Sequence, residues 1–183
     1  MANEKVLILE APWSEDIEDT QATRDIYASA ETLLRIGPDP VRIIHRPLIS
    51  TTYISDIKHF LDLDCNQRGP NIIVLSAHGK VVRKKRSSRK RIIQRRLTAF
   101  DGEVNLSSDI KPLRKQLARS IIILDSCELG VTLRKFHAHS GSLGVVGFAE
   151  EVDWVDSSMF VLAMLFKLHQ ERVLNLKRAR PTE

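Results

Sequence analysis

Four short, predominantly apolar runs constrain this chain more than any other feature. The first opens residues 5–13 (KVLILEAPW), and others follow at 41–45, 71–76 (NIIVLS) and 120–124 (SIIIL). Runs of this length are strand-sized, and the lack of polar alternation marks strands covered on both faces, as in a parallel sheet. A fifth strand is expected at 142–148 (SLGVVGF). Between the runs, apolar residues fall at helical spacing. Ile26, Ala30, Leu33 and Leu34 mark a helix over 25–36, stopped by Gly37-Pro38. Ile54, Ile57, Phe60 and Leu61 mark another over 51–63, with a turn at Gly69-Pro70. Shorter helices are expected over 109–117, capped by Asp109, and over 129–137. A long amphipathic helix is expected over 157–173. Asp101-Gly102, between apolar pieces of 97–106, is a hairpin signal. Strands alternating with helices predict an α/β fold, with a mostly parallel central sheet and helices on both faces. The 183 residues, 43% of them hydrophobic, suit a single domain over 1–183 with its own core.

Charge is unevenly placed. Residues 80–96 hold ten Lys or Arg and no acid, while the rest of the chain has 18 basic residues against 23 acidic ones. A mildly acidic body therefore carries one segment of charge +10. A like-charge block of this kind reads as a solvated loop inserted after residue 79. It also has the charge to neutralise nucleic-acid phosphates. No aromatic residue is interleaved in this segment, the first after it being Phe100, so base stacking is not expected of it. The tail from Lys177 onward is basic and is expected to fray.

No apolar stretch reaches the ~18 residues of a membrane span, and 159–168 is interrupted by Lys167. The first residues, MANEK, lack the apolar core of a signal peptide. Two cysteines, Cys65 and Cys127, permit one disulfide but no disulfide framework, so a reducing, cytoplasmic location is expected.

Active sites of open parallel sheets lie at the carboxyl ends of the strands. His78 stands seven residues after Asn71, and Cys127 seven after Ser120. If those two strands are parallel neighbours in register, both side chains emerge at one edge. A thiolate is the nucleophile, an adjacent imidazolium favours it, and the imidazole can protonate a leaving amine. The N–H groups of Gly79 and Cys127 are candidate oxyanion donors, and Gly79 is where a side chain would crowd a substrate. Asp125, two residues before Cys127, faces either the core or a pocket, where it would select a Lys or Arg side chain. Glu151, Asp153, Trp154 and Asp156 follow the fifth strand at the same edge. They are candidates for the substrate pocket, against solvated loop acids and a core plug.

An apolar strand ending in Ala77-His78-Gly79, paired with one ending in Asp125-Ser126-Cys127-Glu128-Leu129-Gly130, resembles the caspase-like cysteine peptidases. These include caspases, metacaspases, separases and bacterial caspase-like and CHAT-type domains. The order His then Cys, the Asp-Gly hairpin between them, and a strand ending in Gly147-Phe148 before a long helix are similar too. The resemblance spans residues 5–173 and is nearest to the short bacterial members. It implies a caspase-like three-layer sandwich with a six-stranded sheet and cysteine endopeptidase activity through a His78–Cys127 dyad without cofactor. The substrate would be a protein or peptide. An acid two residues before the cysteine resembles the metacaspase pattern and implies cleavage after Arg or Lys. Where metacaspases continue His-Ser-Gly after the cysteine, this chain has Glu128-Leu129-Gly130. Small members of the group often work beside a sensor or effector protein.

Other chemistries fit less well. Cys127, His137 and His139 match no common zinc spacing, so no metal is expected. Gly141, Gly144 and Gly147 do not form G-x-G-x-x-G, and no serine nucleophile elbow occurs. Two rival functions remain at this stage. One is a catalytically silent caspase-like scaffold, and the other a nucleic-acid-binding α/β protein acting through the basic loop. A peptidase cutting after Arg or Lys would also find a substrate in that loop, which leads to autoprocessing or self-inhibition there.

Overall fold

The computed structural model describes residues 4–11, 24–35, 41–63, 70–85, 91–127 and 129–178. Gly37-Pro38, Cys65, Gly69, residues 86–90, Glu128 and residues 179–183 lie outside the described residues. The strands are β1 (Glu4–Glu10), β2 (Val41–Pro47), β3 (Asn71–Ser76), β4 (Gly79–Lys85), β5 (Arg91–Ala99), β6 (Gly102–Val104), β7 (Ser120–Asp125) and β8 (Gly144–Gly147). The α-helices are α1 (Arg24–Arg35), α2 (Tyr53–Asp62), α3 (Leu106–Asp109), α4 (Leu133–Ser140) and α5 (Trp154–Arg178).

Five strands form an all-parallel sheet in the order β2-β1-β3-β7-β8. The apolar runs become its central strands because both faces are covered. On one face Val6, Ile8, Ile72, Val74 and Ile123 pack with Tyr27, Ala30 and Leu34 of α1 and Val161 and Leu165 of α5. On the other, Leu7, Leu9, Ile73, Leu75, Ile122 and Leu124 pack with Tyr53, Ile57 and Phe60 of α2 and Phe136 of α4. This is the expected three-layer α/β arrangement. The described parallel sheet has five strands, where six were implied by the family resemblance.

Three local expectations are corrected. Residues 109–117 do not form one helix, and Asp109 ends α3 instead of capping a new one. Pro112, without an N–H, sits in a 3-10 turn over Lys111–Leu113, and a second follows over Gln116–Arg119. The tail is helical through Arg178, so Lys177 and Arg178 belong to α5. The largest correction concerns the basic segment. It is not a loop over its length: β4 and β5 pair antiparallel from Gly79↔Leu97 to Lys85↔Arg91. The β-branched Val81, Val82, Ile92 and Ile93 favour extended backbone, and the hydrogen-bonded ladder outweighs the repulsion between like charges. The Asp-Gly hairpin is present as β5–β6, with Gly102 opening β6. Its turn is held by Asp101, whose carboxylate accepts from Ser50 N and Thr51 Oγ1. Leu97, Ala99 and Val104 root the small sheet in the α2-side core.

Candidate active site

β1 runs out to β2 on one side, and the chain then crosses back to place β3 on the other, with β7 and β8 beyond. The strand order therefore reverses between β1 and β3, the position where open α/β sheets leave a crevice at the strands' carboxyl ends. β3 and β7 are parallel neighbours whose ladder closes on Ser76↔Asp125, a sequence offset of 49. His78 and Cys127 share that offset, each two residues past the final pair. The register required of the two strands is thus met.

The strand ends are pressed together. Ala77 N donates to Asp125 O at 3.1 Å, and Thr98 N donates to His78 O at 2.9 Å. A Cβ on Gly79 would overlap the Cys127 carbonyl oxygen and lie 2.8 Å from Ser126 Oγ. The glycine is thus demanded by the neighbouring strand end itself, before any substrate is considered. His78 and Cys127 are both half-buried. No hydrogen bond joins them among the described residues. The Cys127 thiol instead donates to Val152 O at 3.4 Å, while Val152 N donates to the sulfur at 3.5 Å. The segment between β8 and α5 thus brackets the thiol with its backbone.

Asp125 is fully buried and faces the α1/α5 side, below the edge. Its Oδ2 accepts from Ser76 Oγ at 2.8 Å and from Tyr27 OH at 3.0 Å, while Oδ1 is buried without a hydrogen-bond partner. Ser157 also stands close, but its hydroxyl donates to Trp154 O at 3.1 Å. Burial pushes the Asp125 carboxyl above the ordinary aspartate range. The Ser76, Ser157 and Tyr27 hydroxyls pull it down, and the charge of Glu10 adds to the upward push. Burial, reinforced by Asp125, holds the Tyr27 phenol well above its usual range. Of the two placements open to Asp125, core or pocket, the structure has the core, within a cluster that sequence did not reveal.

Glu10, at 8% exposure, ends β1 and pairs in register with Ser76. Glu10, Ser76 and Asp125 therefore form a polar row across the ends of three adjacent strands. His45 Nε2 lies 2.7 Å from Glu10 Oε2. The one signal for this row in the sequence is that β1, like β7, closes an apolar run with an acid.

The remaining candidates divide. Asp153 Oδ1 accepts from Val155 N at 2.8 Å at the start of α5, so its carboxylate is engaged as a cap. Glu151 is exposed, and half-buried Trp154 opens α5 with its carbonyl accepting from the Ser157 and Ser158 hydroxyls. His137 Nε2 is 2.8 Å from Ser142 O. Ser126, which sequence reasoning passed over, is buried beside Cys127 with an unpartnered Oγ. No helix among the described residues is long and apolar enough to cross a membrane. A scan of protein-family models finds no match to this chain, and a search of curated proteins finds none either.

Proposed function

We propose that this chain is a caspase-like cysteine endopeptidase that cleaves after Arg or Lys. The register of β3 against β7 carries this reading, because it sets His78 and Cys127 at equal distance past the final strand pair. The Cys127 thiolate attacks the scissile carbonyl carbon, and the developing oxyanion is received by the N–H groups of Gly79 and Cys127. The C–N bond breaks as His78 protonates the leaving amine, and water then hydrolyses the thioester. Asp125 lies buried below the strand ends with Oδ1 unpartnered, so a P1 cation reaches it only once the chain above it has opened, with Glu10 adding negative charge in the same row.

The bracket around the thiol supports gating. With Sγ held by both backbone groups of Val152, the segment 148–153 must shift before a peptide reaches the sulfur, and a sensor or effector partner is a fitting trigger. The β4–β5 ladder pairs Lys80–Lys85 with Arg91–Arg96, and strands engaged in a ladder are poor substrates for autoprocessing. A peptidyl electrophile with Arg at P1 tests the reading. It should label Cys127, detected as a single mass adduct, and labelling should fail in Cys127→Ala and fall sharply in His78→Ala. Equal labelling of wild type and His78→Ala would refute the dyad.

A further inference from the structure

The parallel sheet has two edges, and they are finished differently. β2 closes one edge with exposed Arg42 and Arg46 and ends on Pro47. Charge and proline on an edge strand discourage another strand from pairing there. β8 closes the other edge as Gly144-Val145-Val146-Gly147, with every residue half-exposed and none of them charged. Among the described residues, no strand pairs with its outer side. We propose that β8 is the docking surface for a second copy of this chain, pairing antiparallel with its own counterpart about a two-fold axis. This surface is independent of the dyad.

Charge favours that occupant. A two-fold contact sets side chains near their own copies, so any charge at the axis would face its like. Residues 140–149 (SGSLGVVGFA) carry no charge. A partner recognised by charge would find nothing to read along this edge.

Shape favours it as well. Gly144 and Val146 stand beside Ile121 and Ile123 of β7, and Ile123 packs on the α1/α5 face of the sheet. Phe148, two residues beyond Val146, reaches the same face, where its ring meets Phe160 of α5 edge-on with centroids 5.4 Å apart. A Cβ on Gly144 would meet nothing within 4 Å, so the space above this glycine is open. A two-fold axis perpendicular to the sheet keeps each face continuous across the new pair, so residues oppose others of the same face. With Val146 on the axis opposite its own copy, Val145 opposes Gly147 of the second copy, and Phe148 opposes Gly144. Each Phe148 then fills the open space above the other copy's Gly144, an aromatic ring covering a glycine across an edge. Leu143, 64% exposed, flanks the strand at its start and gains cover from the same pairing.

Sedimentation velocity of the full chain tests the proposal. A species of twice 20.8 kDa should form as the concentration rises to about 100 µM. Val146→Lys and Val146→Glu should each stay monomeric, and an equimolar mixture of the two should recover the dimer, because residue 146 meets itself across the axis. Circular dichroism reports whether these variants are folded. If they are not, Phe148→Ala should raise the dimer dissociation constant ~10-fold, since the aromatic–glycine pair occurs twice in each dimer. A monomer at every concentration overturns the proposal and leaves the edge to a strand of another protein. A dimer that persists in folded Val146→Lys, or that Phe148→Ala leaves unchanged, overturns it too, as does a Lys/Glu mixture that remains monomeric.

Discussion

Gly79 faces the backbone carbonyl of Cys127 so closely that a Cβ at residue 79 would overlap its oxygen. The obstacle is backbone at the end of a central strand, so it cannot swing aside as a side chain would. Gly79→Ala must push β4 away from the end of β7. We expect it to destabilise the fold by about 1–3 kcal/mol, the usual cost of overpacking, and to abolish thiol-dependent cleavage. Urea denaturation and peptide cleavage check the two effects. A fully stable, fully active Gly79→Ala would show that the two strand ends sit farther apart.

Asp125 gives a pH dependence with a definite sign. Its carboxyl is raised by burial, so between its unfolded and folded pKa the native state holds a proton that the unfolded chain has lost. Stability falls as pH rises through that interval, which starts near the ordinary aspartate value of about 3.9. Asp125→Asn keeps an acceptor for Ser76 and Tyr27 but cannot ionise. Its thermal midpoint relative to wild type should therefore rise between pH 4 and pH 7, and a difference that does not change with pH would contradict the assignment.

The opposite sign applies at Asp101. The Ser50 backbone N–H, aided by the Ser50 and Thr51 side-chain contacts, holds this exposed carboxyl below its usual range. Its contribution is present above the unfolded aspartate pKa and is lost as pH falls through the folded one. Thermal melts should show wild type more stable than Asp101→Asn at pH 6, with the gap closing on acidification below about pH 4.

Asp153 was a pocket candidate, yet its carboxylate accepts from Val155 N where α5 begins. Asp153→Ala should cost about 0.5–2 kcal/mol, the range for a lost helix cap, and should leave the ratio of cleavage after Arg to cleavage after Asp unchanged. A collapse of that ratio in a stable variant would return Asp153 to the pocket.

Much of the fold was legible because central parallel strands are covered on both faces and so read as predominantly apolar runs. The same runs made the site legible: counting seven residues from Asn71 and from Ser120 locates His78 and Cys127, and the two starting residues are register partners. The ribbon was not legible because ten cations in one segment signal mutual repulsion, whereas the strand preference of Val81, Val82, Ile92 and Ile93 takes effect only once a partner strand is present. The surroundings of Asp125 were hidden for another reason. Tyr27 lies 98 residues away in sequence and meets it only once α1 packs on the sheet. The bracketing of Cys127 by Val152 is made by backbone atoms, which no residue type announces.

The proposed peptidase needs a His78–Cys127 dyad and a cationic P1 residue. Cleavage of fluorogenic peptides carrying Arg, Lys or Asp at P1, by wild type and by Cys127→Ala, tests it most directly. Cleavage after Arg or Lys, absent after Asp and lost in Cys127→Ala, is the expected result. Cleavage that persists in Cys127→Ala would contradict the nucleophile, and cleavage after Asp alone would contradict the role of Asp125.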